Sequence, residues 1–477
     1  MAENPENNIP LCVDLDGTLV NTDTLVESAL LLAKKNPLYL FSMLFWLLSG
    51  KAYLKEQIAS RTSLDVEILP YNDSFLTWLK EQHASGRELV LVTAANRKIA
   101  AAVSEQLPLF STCIASTSTV NMGAERKRDE LIKRFGEGGY DYAGNSSDDF
   151  PVWSKCRRGI VVNASSGTDA QAAALAQIET SFPSDQKPVS AILKAMRPHQ
   201  WAKNLLIFVS IIVAHQYTDS AVLVPTLIAF ASFCLCSSTV YLINDLLDLQ
   251  ADRRHATKHR RPFAAGDVPL LLGVIFVPVL LAASAILAVQ AGPMFCGVLA
   301  LYFAATLAYS FVLKRIAMLD VLVLAILYTL RIVAGASVAG EFPSVWLVSF
   351  SMFLFTSLAM AKRYAELKAL EGQPHAWAGG RGYNVDDMPL ISQLGATSGY
   401  IATLVLALYI DSPEVITIHS NEQLMWLLCP LLMYWIGRIW LVANRGQLAQ
   451  DPVIFATRDR ASYIVFLLGI LTLLAAR

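Results

Sequence analysis

The residues best placed to do chemistry lie in one stretch, "NDLLDLQADRRHATKHRRP", from Asn244 to Pro262. It follows a long apolar run, so its polar side chains meet water at the mouth of a membrane helix. Continued as a helix, the stretch puts Asn244, Asp248 and Asp252 on one face at i, i+4 and i+8, with Asp245 one step round. Three carboxylates and an amide on one face repel each other unless a cation sits among them. Mg²⁺ takes hard oxygen ligands, usually one or two carboxylates with substrate phosphates and water. Arg253, Arg254, His255, Lys258, His259, Arg260 and Arg261 come directly after the acids. Acids that can load a metal, then a basic turn, suit a diphosphate. A solvated helix end of mixed charge is the plainer reading. Ionisable groups at a membrane boundary are expensive, which favours function.

A second set of acids opens the chain. The run "LCVDLDGTLVNTD" reads as a strand that delivers Asp14 and Asp16 at its carboxyl end, where open α/β sheets place their sites. Strand-like runs "ELVLVTA" (ending near Thr93), "TCIAS", "YDYAG" and "GIVVNA" complete residues 9–164, with helical patterns between most of them. The exception is Asn36–Tyr53, whose apolar core of about a dozen residues is short of the ~20 that a span needs. It reads as a cap helix of the soluble domain, with the bilayer surface as an alternative resting place. Residues 165–190 read as a linker with one helix and two prolines. The fold class expected is therefore an N-terminal α/β Rossmann-like domain at 1–164, then an all-α membrane domain at 191–477.

Composition agrees with that division. The 477 residues carry a formal net charge of −1, a mean hydropathy of +0.44 and only 16% charged residues, well under the roughly 25% of soluble proteins. The charge balance carries no nucleic-acid signal. Seven cysteines show neither a CxxC pair nor zinc spacing and read as reduced. "MAENPENNIP" has no basic-then-apolar leader, so the α/β domain behind it is expected in the cytosol.

From Asn204 onward there are nine apolar segments, at roughly 204–217, 221–243, 269–291, 294–313, 319–339, 345–361, 391–410, 423–442 and 461–476, which read as nine transmembrane helices. Connections near 215–220, 290–293, 340–344 and 411–422 lack Lys and Arg, whereas 244–268, 314–318, 362–388 and 443–460 contain them. This alternation places the soluble domain and every basic loop in the cytosol, with Arg477 outside. A multi-pass protein of the bacterial inner membrane is the expectation.

Asp-x-Asp-Gly-Thr, the strand ending in Thr93, "GAERKRDELIKRFG" and "YDYAGNSSDD" together resemble the haloacid dehalogenase superfamily of phosphatases over residues 11 to about 156. The resemblance implies Asp14 as nucleophile, Asp16 as general acid and base, and Thr93 and Lys127 as phosphate-binding groups, with Arg126 the alternative to Lys127. It implies Mg²⁺ on Asp14 and Asp16, with Asp148 and Asp149 as metal-site acids. The family usually has Asp where this chain has Asn145, which removes a charge and leaves a non-catalytic regulator as the alternative.

The Asn-Asp-x-x-Asp-x-x-x-Asp motif at the end of the second span, with Arg261-Pro262 behind it, resembles the UbiA-type intramembrane prenyltransferase superfamily over about residues 192–477. That resemblance implies Mg²⁺ on Asn244, Asp245, Asp248 and Asp252, with Asp245 and Asp248 catalytic, and an isoprenoid held among the helices. Where aromatic prenyltransferases carry a second acidic motif, this chain has "MAKRYAELKALEGQ", mainly basic. Together with "MRPHQWAKN" and "KRIAMLDV", this resembles the decaprenyl-phosphate phosphoribosyltransferase branch. The donor implied is phosphoribosyl pyrophosphate and the acceptor a polyprenyl phosphate. Lys203, Asn204, Lys258, Arg261, Lys314, Arg315, Lys362, Arg363, Tyr364 and Glu366 are the expected substrate contacts. Snorkelling to the interface is an equal alternative for Lys314 and Arg315.

Four further readings stay open. Arg331 faces a pore or pairs with Asp320, eleven residues away. "GRGYNVDD" (380–387) is a lid or a tethered loop. Asp459 and Arg460 form an interfacial pair. Trp201, Trp346, Trp377, Trp426, Trp435 and Trp440 mostly line the membrane interface. Ordinary prenyl transfer from a polyprenyl diphosphate, or an inert scaffold, are the rival functions.

Overall fold

The computed structural model describes residues 9–184, 187–372, 381–412, 421–448 and 451–476. Residues 1–8, Trp377, Gly380 and Arg477, on which parts of the readings above fall, lie outside the described residues. The chain forms two compact units: one of Met1–Met196 with Tyr241–Val277, the other of Arg197–Val240 with Pro278–Arg477.

The first unit is built on six parallel strands: β1 (Leu11–Val13), β2 (Leu89–Asn96), β3 (Thr112–Ser116), β4 (Asp141–Gly144), β5 (Arg158–Val162) and β6 (Gln177–Phe182). Their order is β3-β2-β1-β4-β5-β6. Cys12 of β1 pairs with Val90 on one side and Tyr142 on the other. All three residues of β1 are buried, as a central strand covered on both faces requires. The chain runs outward from β1 to β3, then returns to β4 on the other side of β1. That reversal opens a crevice at the carboxyl end of β1, where Asp14 sits.

The expected linker contains β6, which pairs with β5. Its run "QIETSF" has exposed and half-buried residues in strict alternation, so it lacks the continuous apolar signature of the inner strands. It is fastened by charge. Arg87 bonds Asp141 and reaches Glu179 of β6 at 3.3 Å, while Arg157 holds the same fully buried Asp141 at 2.5 Å.

Helix α1 (Thr24–Lys35) comes after the β1 loop. Asp23 caps it by accepting from the Val26 amide at 2.9 Å. Helix α2 (Tyr39–Leu48) is shorter than the expected 36–53 segment, because Gly50 at φ +107° ends it before a new helix at Lys51–Arg61. None of its residues is buried.

Seven helices among the described residues are long and apolar enough to cross a membrane, including Ser220–Leu247, Leu319–Val338 and Val345–Lys368. The other two expected segments are helical but short. The first is a 3₁₀ stretch, Pro198–Leu206, running into Ile207–Val213; the last is Arg460–Ala476. At 1.5 Å per residue they reach about 10 Å and about 25 Å in α-helix, short of the ~30 Å of hydrocarbon. Nine apolar segments therefore yield seven of spanning length.

Within the second unit, close packing rests on small residues. A Cβ added at Gly335 would lie 1.9 Å from the Ile207 carbonyl oxygen, and Ser210 donates to the Ile332 carbonyl at 2.7 Å beside it. The Gly335→Ala variant should push Ile207–Val213 off Leu319–Val338. The expected loss is about 1–3 kcal/mol, read as a lowered Tm of the detergent-solubilised protein.

Candidate functional site

The soluble unit gathers its expected acids and lysine. Lys127 is buried and donates to Asp14 at 2.9 Å, to the Tyr142 hydroxyl at 2.8 Å and to Asp149 at 3.4 Å. Arg126, the alternative, is exposed. Asp16 accepts from the Thr24 amide at 2.9 Å, and Thr93 is fully buried with its hydroxyl accepting from the Ala95 amide. Of the two expected metal-site acids, Asp149 turns inward and Asp148 is exposed. The reason is a 3₁₀ turn at Ser147–Asp149. Its capping box draws Asp149 back onto the Asn145 and Ser146 amides, at 3.0 and 3.1 Å. Asn145 stands against Gly17: a Cβ added there would meet its Nδ2 at 2.1 Å.

Burial, helped by Asp149 and opposed by Lys127, pushes Asp14 up to about 6. Burial and then Asp23 push Asp16 up to about 7. Burial alone would depress Lys127, but Asp14 and Asp149 outweigh it and hold it up at about 12. A carboxyl poised near neutrality, two residues from a carboxylate held by a lysine, suits an acid–base group beside a nucleophile.

The acidic stretch also belongs to the first unit. The span ends at Leu247, Asp248 breaks the helix, and Leu249–Arg254 resumes it. The Asp248 amide still bonds the Asn244 carbonyl and the Asp252 amide the Asp248 carbonyl, so the shared face survives the break. Asn244 is half-buried on it. Arg261 Nη1 donates to Asp245 at 3.1 Å and Asp252 at 2.6 Å, and Lys34 donates to Asp248 at 2.6 Å. The basic turn divides its work. Arg253 turns to Glu27 and Arg254 to Asp65, while Lys258 is half-buried.

Among the described residues no group of three or more His, Cys, Asp or Glu side chains gathers into a metal cage. The expected four-ligand set is thus not closed in this arrangement. Two of its carboxylates nevertheless converge on a single cationic nitrogen, that of Arg261. This fits Mg²⁺, which takes one or two carboxylates and completes its shell with phosphate oxygens and water.

The second unit holds a buried polar cluster. Lys203 donates to Asp451 at 2.8 Å, Lys362 reaches the same oxygen at 3.2 Å, and the Tyr328 hydroxyl bonds Asp451 at 3.1 Å. The Tyr328 ring lies between Lys203 and Arg331, 5.5 and 5.3 Å from them. Arg331 donates to Asn204 at 3.0 Å and to the Tyr302 hydroxyl at 2.9 Å. Two lysines therefore share one carboxylate, with Arg331 on the far side of Asn204 and the Tyr328 ring. Burial lowers Lys203 to about 8, Asp451 opposing. Burial would raise Asp451, but Lys362 and Lys203 outweigh it and hold it well below the usual carboxylate range.

Several expected contacts lie elsewhere. Arg363 is fully buried, bound to Asp320 at 2.6 Å, Glu366 at 2.5 Å and the Tyr309 hydroxyl at 3.1 Å, so it fastens helices rather than facing a substrate. Glu366 also takes Arg381, and Tyr364 bonds Asn444 at 2.7 Å. Asp320 is shared by Arg363 and Tyr383, not Arg331. Lys314 is half-buried and Arg315 exposed. Asp459 pairs with Arg438, not Arg460. Trp201, Trp435 and Trp440 donate to the buried Ser238, Ser462 and Ser357 of the second unit. Asp451, Tyr328 and Tyr302 belong to the cluster although the sequence does not single them out. The one local signal is Asp451 before Pro452, a helix N-cap pattern.

These features define a multi-pass membrane protein with a carboxylate motif behind one span and a crevice of acids and one lysine at the carboxyl edge of a parallel sheet. Residues 205–462 match the model of the UbiA prenyltransferase family. The chain belongs to that family. It is 36% identical over 464 residues to uncharacterized protein y4nM of Sinorhizobium fredii, covering 96% of this chain and 89% of the relative. It is 33% identical over 297 residues to the decaprenyl-phosphate phosphoribosyltransferase of Mycolicibacterium smegmatis, covering 60% of this chain and 92% of the relative. A solved UbiA homolog from Archaeoglobus fulgidus, bound to GPP and Mg²⁺, is similar at 17% identity and a TM-score of 0.47, covering 59% of this chain and 99% of that one.

Replacing Asp451 would leave Lys203 and Lys362 without their shared acid. Asp451→Asn should cost about 2–3 kcal/mol, the low end for a broken buried pair because Lys362 is part-exposed. Asp459→Asn, whose partner Arg438 is part-exposed, should cost less than about 1 kcal/mol. Thermal unfolding of the two variants in one detergent checks the order.

Proposed function

We propose that the chain transfers 5-phosphoribose from phosphoribosyl pyrophosphate to a polyprenyl phosphate, and that the soluble unit then removes the sugar's 5-phosphate. The observation that carries this reading is the pair of lysines, buried Lys203 and part-exposed Lys362, held on the single carboxylate of Asp451. An acceptor that brings its own phosphate would balance Lys203, Lys362 and Arg331, whereas a neutral aromatic acceptor would not. The name of the Mycolicibacterium smegmatis relative points the same way.

In this reading Lys203 and Lys362 grip the lipid phosphate, with Arg331 keeping Asn204 and Tyr302 in place beside them. Asp245, Asp248 and Asp252, with Arg261, hold the pyrophosphate end of the donor. Bound Mg²⁺ would neutralise the departing pyrophosphate. A phosphate oxygen already carries charge, so its attack on ribose C1 needs alignment and charge screening more than a strong base. The leaving group is pyrophosphate. In the soluble unit Asp14 would take the 5-phosphoryl group, Asp16 would protonate the leaving alkoxide and then activate water, and Lys127 and Thr93 would hold the phosphate. The loop charges support placing these sites in the cytosol of a bacterial inner membrane. The name of the prenyltransferase family favours a second reading, prenyl transfer from a polyprenyl diphosphate.

The purified chain, given Mg²⁺, labelled phosphoribosyl pyrophosphate and decaprenyl phosphate, should yield lipid-linked phosphoribose. Asp248→Ala and Lys362→Ala should each lower the yield about a hundredfold. Labelled isoprenoid on an aromatic acid, with no lipid-linked ribose, would decide for the second reading. Asp14→Ala should leave the 5-phosphate on the product. Asn145→Asp restores the superfamily's usual charge and should raise phosphate release from a simple phosphomonoester by about tenfold or more.

A further inference from the structure

Helix α1 belongs to the soluble fold, yet it meets both sets of acids within the first unit. At its start the Thr24 amide bonds Asp16 at 2.9 Å; in its last turn Lys34 bonds Asp248 at 2.6 Å. Between them Glu27 accepts both terminal nitrogens of Arg253, at 2.6 and 3.0 Å. Glu27 and Lys34 are two helical turns apart and share a face.

The two pairs differ in kind. Glu27 is fully buried and Arg253 nearly so, and each is tied further: Thr22 donates to Glu27, and Arg253 donates to the Ala264 carbonyl at 3.0 Å. Next to them the backbone closes up. Gly266 sits at φ +80° where a Cβ would lie 2.7 Å from the Asn21 carbonyl oxygen. A pair so enclosed is a fastener. Lys34 and Asp248, by contrast, keep 34% and 28% of their side-chain surface exposed. A lysine held in water's reach can exchange its partner at little desolvation cost.

We propose that Lys34, supplied by the phosphatase-like domain, is a donor-binding residue of the transferase. It holds Asp248 while the acids are unloaded and turns to a diphosphate oxygen when a divalent cation takes that carboxylate. Arg253–Glu27 sets α1 where Lys34 can do this. The proposal rests on the reading of the acids as the metal-and-donor site. It assigns the soluble domain a part in the transfer step, separate from any phosphatase activity.

The test uses the full chain in nanodiscs, with Asp14→Asn to remove the soluble crevice as a rival metal site. Mn²⁺ binding is tracked by electron paramagnetic resonance, and the donor KM is measured alongside. Lys34→Ala removes a competing cation from Asp248, so Mn²⁺ should bind about fivefold tighter, the scale of a part-exposed ion pair. The donor KM should rise by a similar factor, and Lys34→Arg should restore both. Opposite shifts distinguish a binding role from a structural one, which would weaken both together. Unchanged or weaker Mn²⁺ binding in Lys34→Ala overturns the proposal. Tighter Mn²⁺ binding in a chain that makes no lipid-linked ribose supports Lys34 as the counter-cation of Asp248 and overturns the donor assignment instead.

Discussion

Charge taken out of water has to be answered by charge, and this requirement organises both units. In the soluble fold Asp141 at the end of the central strands is met by Arg87 and Arg157, and Asp14 and Asp149 by Lys127. In the second unit Asp320 is met by Arg363 and Asp451 by two lysines. Apolar packing has no direction, whereas a fork of guanidinium nitrogens admits one arrangement of its partners.

These pairs divide by exposure, and the division separates framework from chemistry. Arg363–Asp320 and Arg253–Glu27 are sealed, and breaking either would strand a charge at a cost of about 3–5 kcal/mol. Lys362, Arg261 and Lys34 each keep about a third of the side chain in water. A part-exposed pair adds about 1 kcal/mol or less to stability. In the Lys34 pair the acid is part-exposed too, so an incoming phosphate could take Asp248's place on Lys34 without leaving a dry charge behind, whereas Asp245, Asp252 and Asp451 are buried. The same contrast explains why neighbours in one helix do different work. Lys362 and Arg363 are about 100° apart around the helix axis, so one reaches Asp451 while the other is sealed against Asp320.

How much of this is legible in the sequence depends on how local each signal is. Asp14 and Asp16 are legible because a buried strand and the turn after it dictate their place within six residues. The span at Ser220–Leu247 is legible from hydropathy alone, and the carboxylates behind it from their spacing. Asp451 is not legible, since its partners Lys203 and Tyr328 lie 248 and 123 residues away in the chain. The choice between Asp148 and Asp149 depends on a single 3₁₀ turn, and neighbouring letters carry no record of it. Strand β6 is hidden because an edge strand with polar alternation looks like linker. The first and last apolar segments have the composition of spans, but composition reports hydropathy and not how many residues stay helical.

The division of the chain carries a functional argument of its own. The compact unit built on the sheet also contains Tyr241–Val277, so the polypeptide leaves the soluble fold at Met196, forms most of a membrane helix, and returns its acidic end to that fold. Returning a second segment, sealed by Arg253–Glu27 and by the close approach at Gly266, fixes the acids against α1. The geometry of the carboxylates is then set partly by a domain outside the bundle. For a reaction whose barrier falls mainly through placement of charge, a carboxylate moved by 1 Å can cost about a hundredfold in rate. In the proposed reading, a domain that holds those acids in register acts on the transfer step through geometry, separately from any turnover in its own crevice.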